Sequence, residues 1–551
     1  MMRKAKVVLV ALLVVIVGFS IIGCGKASQS DSSSTTATNQ LANSNQNNTE
    51  SVNNKDELVL AVFADTDDGF DPTTGWGRYG SPLFQSTLLA FDNSLNITND
   101  LATKYSVSED GLTWTVEIRK DVSFSDGVTL TANDVVYTFE KAKNSGSVVD
   151  LEVLANVKAI SDYTVEFQLH SKNSTFINTL ITTGIVPQHV HNAGYAERPI
   201  GSGPFVFVQW DKGQQLIVNK NPNYYGKQPN FQKVTFLYLD QSTALAAAKA
   251  GQVDIAAIPA AFANQKVENM RIEALQTVDN RGIMFPYVPS GQQTADGIAV
   301  GNDVTADIAI RKAINVAVDR ELLVEGVLEG YGTPAYTMVD GLPWWNPDTV
   351  IYDADMQQAK AILLEGGWQE GAADGIMRKG SLKAEFKLLY PASDPTRQAL
   401  ALAVTDLIRP LGINIIPEGK SWDELYKLMH ANAVLFGWGA HTPLEMYNLY
   451  SSEMQGSGSY NAGFYSNPQV DKYMEQALAA TTANEAYAYW QKAQWDGTTG
   501  LSAKGDAPWA WLVNLEHVYL VNEQLDIGEQ RIQPHGHGWP ITANIAEWQW
   551  R

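Results

Sequence analysis

The sequence predicts a mixed α/β protein folded as two lobes, and three stretches carry that reading. "GLTWTVEIRKDVSFSDGVTLTANDVVYTFEKA" sets an alternating strand (Trp114, Val116, Ile118), a turn and a helix capped at Thr131 in close succession. "KVTFLYLDQSTALAAAKAGQVDIA" reads as strand, Ala-rich helix, a stop at Gly251 and a second strand, the pattern of an α/β crossover. "EFKLLYP", "TRQALALAVTDLIRPLG" and "INIIPEG" repeat it further along. The folded body runs for nearly five hundred residues, too many for a single core, so two lobes of about 200 residues each are expected.

In chain order, Arg3, Lys4 and Lys6 precede the apolar run Val7–Phe19, followed by Ile21, Ile22, Gly23 and Cys24. That succession is a secretory signal over residues 1–23, its apolar core too short to span a bilayer. The position of Cys24 after a small residue predicts lipidation there and anchoring of an extracytoplasmic protein to the bacterial membrane. Cys24 is the only cysteine, which excludes a disulfide framework. Residues 24–56 are almost entirely Ser, Thr, Asn, Gln and Ala, a disordered tether with a span of roughly 30 Å.

Beyond it, "ELVLAV" predicts the first strand, and "GSGPFVFVQWDKGQQLIVNKNPNYYG" predicts a hairpin turning at "DKG". "TADIAIRKAINVAVDRELLVEGVLEG" predicts a helix or helix pair, and "SWDELYKLMHANAVLFGWGAHTP" a helix leading to a strand that ends at Trp438. Gly201, Gly203 and Pro204 read as hairpin residues, and Phe124, Gly127 and Val135 as core.

The formal charge of -21 argues against a nucleic-acid partner, which needs a basic stripe. There is no P-loop, no G-x-S-x-G, no H-E-x-x-H and no dinucleotide fingerprint, so no enzyme class is indicated. Two features point to ligand chemistry. Aromatic and basic residues cluster at Trp76, Arg78 and Tyr79, and again at Trp438, Tyr460 and Phe464, where they suit either a pocket or a core. In "QPHGHGWP", His535 and His537 flank a glycine. Extended, they would point to one side as candidate metal ligands; in a loop bounded by proline they would be two solvated imidazoles.

The four long stretches "WTVEIRKDVSFSDGVTLTANDVVYTFEKA", "IGSGPFVFVQWDKGQQLIVNKNPNYYG", "AAAKAGQVDIA" and "IRKAINVAVDRELLVEGVLEGYGTPA" occur in the order found in the peptide, dipeptide and nickel solute-binding proteins of ABC importers (family 5). The chain resembles that family from Glu57 onward. The resemblance implies a type II periplasmic-binding-protein fold with a hinge and an interlobe cleft, lobe I at 57–285 plus 516–551 and lobe II at 286–515. It implies lobe closure on a small solute, delivery to a permease with its ATPase subunits, a monomer and no required cofactor. In peptide-binding members an acidic residue follows the Gly-Trp strand end; aligned on Gly437 and Trp438, that place holds His441, and Glu445 is the acid nearest to it. The resemblance thus implies Trp76, Arg78, Trp438, His441, Glu445 and Tyr460 as ligand-binding residues. His441, His535 and His537 are candidate metal ligands, for nickel or a nickel chelate as the transported ligand, with affinity expected to weaken as pH falls through roughly 6.5. A di- or oligopeptide is the alternative ligand, and a ligand sensor or adhesin the alternative of another class.

Overall fold

The computed structural model describes residues 55–551 apart from 67, 80–82, 147, 148, 150, 372, 373, 537 and 538. The signal, Cys24 and His537 lie outside the described residues. The last two tether residues belong to the body: Lys55 pairs with Asp254 at 2.7 Å, and the Asp56 carbonyl accepts the Gln232 N–H at 2.8 Å.

Two large sheets organise the molecule. A seven-stranded sheet runs in the order Met270–Leu275, His517–Asn522, Ile255–Ile258, Glu57–Val62, Lys233–Tyr238, Gln215–Lys220 and Phe205–Asp211. Glu57–Val62 pairs in parallel with both ends of the predicted crossover, and the helix Gln241–Lys249 connects them. The alternation is what buries both faces: Leu58, Leu60 and Val62 enter one core, while Ala61, Ala256 and Ile258 enter the other.

A six-stranded sheet runs in the order Gly332–Pro334, Trp509–Leu515, Asn280–Met284, Ala433–Phe436, Glu385–Pro391 and Asn414–Lys420. The predicted βαβ unit is here, with Glu385 opposite Asn414 in a parallel register and the helix Pro395–Ile408 between the strands. Adjacent residues again split between two cores: Leu388, Leu435 and Leu512 on one side, Leu389, Val434 and Trp511 on the other. The predicted helix pair is Ile308–Ala317 and Arg320–Val327, broken because Asp319 caps a new start by accepting the Leu322 N–H.

A third, four-stranded antiparallel sheet, Ala102–Val107, Thr113–Ile118, Thr164–Leu169 and Leu154–Ser161, covers one face only, with Val116, Phe167 and Leu154 against the helix Ala132–Lys143. That helix starts on the capping box of Thr131 and Asp134.

The chain changes between the two large sheets twice. It leaves the seven-stranded sheet at Leu275 and enters the six-stranded one at Asn280, and it returns between Leu515 and His517 across Glu516 alone. The lobe boundary expected at 285 would keep 280–284 with the first lobe. Those residues instead pair with Ala433–Phe436 and Trp509–Leu515, a difference invisible to periodicity because a strand's pattern does not report which sheet it joins. Among the described residues no helix is long and apolar enough to cross a membrane.

Phe167 is fully buried, edge-on to Phe139 at 4.8 Å and Phe176 at 5.6 Å. Phe167→Ala is expected to cost about 3–5 kcal/mol in urea unfolding, since the surrounding rings cannot collapse fully into the void. A change under about 1 kcal/mol would show that the four-stranded sheet does not unfold with the rest.

Candidate functional site

A cavity of about 290 Å³ lies where the segment after the first strand, the loop after Phe436 and the C-terminal segment meet; Arg78, Phe91, Asp100, Pro204, His441 and Arg531 are on its wall. The chain reaches it by specific local devices. Asp71 caps the short 3-10 turn Pro72–Thr74, and Gly75, at φ 115°, reverses the chain so that Gly77, Arg78 and Tyr79 reach the wall. His191 holds the cap, its Nε2 being 2.9 Å from Asp71.

The second wall segment follows the strand Ala433–Phe436. At Gly439 a Cβ would sit 2.5 Å from the Val278 carbonyl, so only glycine passes there. The Trp438 backbone is held from both sides by Asn280, whose N–H donates to its carbonyl at 2.9 Å and whose side-chain oxygen accepts its N–H at 3.2 Å. The C-terminal segment then closes on the same place: the His535 N–H donates to the Gly439 carbonyl at 2.7 Å, and the Val278 N–H donates to the Gln533 carbonyl at 2.9 Å. Ala440, His441 and Thr442 are thereby set on the cavity wall.

The wall carries unlike charges. Arg531 is largely buried; its Nη1 donates to the Phe91 carbonyl at 3.4 Å, and its Nε has no partner among the described residues. Burial lowers its pKa. His441 stands edge-on to Phe91 with ring centres 5.8 Å apart, and its buried Nε2 has no hydrogen-bond partner among the described residues. Burial first, and then the Arg531 charge, pull its pKa down to about 3 against a bond with the Ile532 backbone, so the imidazole is neutral throughout the ordinary range. This corrects the expectation of a titration near pH 6.5 at this residue. Asp100, hydrogen-bonded by the Tyr225 hydroxyl, is raised by burial.

Beneath the wall lies a second charged group. Asp279, 4% exposed, accepts from Arg281, from His535 Nδ1 at 2.6 Å and from His517 Nε2 at 3.2 Å. Burial acts to raise this carboxyl, but the Arg281 and His535 charges and the two imidazole hydrogen bonds outweigh it and hold it well below the ordinary range. Arg397, tied to Asp394, lies close by and is pulled down to about 10 by burial and then by Arg281.

Of the sequence-predicted residues, Arg78 and His441 line the cavity. Trp76 does not: it is 8% exposed and packs edge-on between Phe70 and Trp539 in the core of the first sheet. Trp438 and Tyr460 pack on each other, tilted with ring centres 5.8 Å apart, off the wall. Glu445, 7% exposed, is off the wall and accepts the Ala440 N–H at 2.9 Å; burial pushes it up to about 7. His535 is committed to Asp279 and faces Tyr79 at 6.1 Å rather than His441. Among the described residues no three His, Cys, Asp or Glu side chains gather as a metal site. Arg531, Asp100 and Phe91 were not anticipated, since nothing in their local sequence marks them.

The family model described as bacterial extracellular solute-binding proteins, family 5 Middle, matches residues 96–460. The chain belongs to that family. It is the substrate-binding protein of an ABC importer, and it has the two-lobed periplasmic-binding fold. The oligopeptide-binding protein AppA of Bacillus subtilis is 29% identical over 421 residues, covering 72% of this chain and 75% of AppA. Protein XP55 of Streptomyces lividans is 29% identical over 486 residues, 85% of this chain and 86% of its own. Among solved structures, NikZ from Campylobacter jejuni in complex with Ni(L-His) matches with a TM-score of 0.76 and 26% identity over 90% of this chain and 99% of NikZ. AppA in complex with a nonapeptide matches with a TM-score of 0.69 and 26% identity over 90% and 99%. Family 5 proteins are extracytoplasmic transport receptors rather than enzymes, and both peptide and nickel binders occur among these relatives.

In this family 5 protein the buried groups fix how stability depends on pH. His441 binds its proton only near pH 3 when folded and near 6.5 when unfolded, so its contribution is lost progressively as pH falls from 6.5 to 3. His535, also lowered by burial, acts in the same sense. Glu445, raised to about 7, acts oppositely between 7 and 4.5 and not below. His441→Asn is therefore expected to flatten the fall in melting temperature on the acid side of pH 4.5. An unchanged acid limb, followed by differential scanning fluorimetry, would show that His441 is not the buried neutral group described.

Proposed function

We propose that the protein captures a small metal chelate, a nickel ion carried by amino-acid or carboxylate donors, and delivers it to the permease without covalent chemistry and without a resident cofactor. The observation that carries this reading is the neutral imidazole of His441, on the cavity wall with no partner for its Nε2 among the described residues, the form in which histidine ligates nickel. Arg78 and Arg531 on the same wall suit the carboxylates of such a chelate. A cavity of about 290 Å³ is at the small end of ligand sites and far below the volume of a nonapeptide. NikZ, whose structure holds Ni(L-His), is among the similar proteins. A short peptide is the second reading, favoured by the likeness to AppA and by Asp100, a wall carboxylate suited to an ammonium group.

The closing motion is assigned to the two crossings, 276–279 and Glu516, which act as the hinge of a monomeric two-lobed clamp. His535 serves this hinge rather than the metal. Nickel with L-histidine, titrated calorimetrically into the untagged protein, should bind at one equivalent, and His441→Ala should weaken binding by at least about tenfold. Wild-type affinity in the variant, or a stoichiometric peptide with no transition metal released from the purified protein, would overturn the chelate reading.

Membrane attachment is assigned to a lipid on Cys24, the sole cysteine, following the apolar run and Gly23. A palmitate analogue fed to cells should label the protein and fail to label Cys24→Ser. Labelling that survives the substitution would defeat the anchor.

A further inference from the structure

We propose that Glu445, which does not touch the cavity, is the positioning residue for His441: its carboxylate fastens the segment 437–442 from the inside and so sets the imidazole on the wall. The inference rests on the reading of His441 as the ligand's partner.

Seven residues separate the last strand residue, Phe436, from the helix Leu444–Tyr450, and none of them is in a sheet or an α-helix. Their backbone polar groups must find partners elsewhere. The half nearest the strand is held from outside. Asn280 takes both polar groups of Trp438, and the His535 N–H takes the Gly439 carbonyl. The half bearing His441 is held by Glu445, whose Oε2 accepts the Ala440 N–H at 2.9 Å. Glu445 stands at the start of the next helix, so one carboxylate spans the loop and fixes its width. Deleting the carboxyl takes the acceptor away from the Ala440 N–H.

From its other side the imidazole meets Phe91 edge-on, with ring centres 5.8 Å apart, and lies against the Ile532 backbone. The loop half that bears the ring is tied by Glu445 through the Ala440 N–H. The carboxyl suits a positioning role because it is buried and is not itself on the cavity wall, where Arg78 and Tyr79 stand.

Nickel(II) is titrated in the presence of L-histidine into the full-length untagged protein, its Glu445→Ala, Glu445→Gln and His441→Ala variants, and the double variant carrying Glu445→Ala and His441→Ala. Glu445→Ala should lose about tenfold in affinity, and Glu445→Gln, which keeps an acceptor oxygen, should stay within about threefold of wild type. The double variant should bind no more weakly than His441→Ala, because both changes remove the same contact. Additive losses in the double variant, wild-type binding by Glu445→Ala, or an equal loss in Glu445→Gln would each overturn the proposal. A second readout is independent of the ligand. In histidine-labelled ligand-free protein the His441 ring resonance, assigned by its loss in His441→Ala, should move in Glu445→Ala and hold in Glu445→Gln. A resonance unmoved by Glu445→Ala overturns the positioning role. Wild-type nickel binding by His441→Ala, with that resonance moving as expected, overturns the chelate reading alone.

Discussion

Both chain crossings converge on the carboxylate of Asp279. It sits on the first crossing; His517, one residue past the second, donates to it; His535 on the C-terminal segment donates to it; and Arg281, the second residue of the strand that begins the other sheet's share, pairs with it. A buried carboxylate left unpaired costs several kcal/mol, so the four segments are bound to one geometry wherever the carboxylate is ionised. The Arg281 and Arg397 guanidiniums oppose each other in the same space, and among the described residues each has an Nε without a partner. They are tolerated because Asp279 and Asp394 balance the charge. Gly437 is part of this arrangement: a Cβ there would lie 2.5 Å from Arg281 and 2.8 Å from Arg397.

The cavity inherits its shape from that centre. Val278 and Asn280, either side of Asp279, hold Gln533 and Trp438, and His535 holds both Asp279 and Gly439. The wall residues on the loop and the C-terminal segment therefore move only as the crossings allow. Polar contacts suit this place better than apolar packing would, since hydrogen bonds and ion pairs define a direction, whereas apolar burial depends on area alone.

Much of the fold was legible in the sequence, because alternation of period two and helix caps are local signals. The strands at Glu57–Val62 and Glu385–Pro391, the Thr131 cap and the helix pair all follow from neighbouring residues. The site was legible only in part. Asp279 meets His535 across 256 positions and His517 across 238, and no local pattern reports such a meeting. His441 was found through its place after Gly-Trp in a family pattern rather than through its own surroundings. Trp76 shows the converse failure: its position after the first strand suits a pocket or a core equally, and the ring that decides for the core, Trp539, comes from the far end of the chain. Glu445 was placed near the correct loop but on the wrong side of it, because a sequence shows that an acid is near and not which way it turns.

The charges bear on which form of metal the proposed reading admits. The chain as a whole is strongly acidic at -21, so its surface field attracts cations. The wall offsets that sign locally, with Arg78 and Arg531 against one acid, Asp100, beside a single neutral imidazole. A free divalent ion there would meet one nitrogen donor, one carboxyl and two guanidiniums, an arrangement that opposes it more than it holds it in a partly dry site. A chelate whose carboxylates cancel or exceed the metal's charge meets the same wall with complementary sign, its anionic groups on the arginines and one open coordination position toward His441. The cationic wall then serves as a filter for chelation state, and its selectivity would come from the charge the chelator contributes as much as from the metal itself.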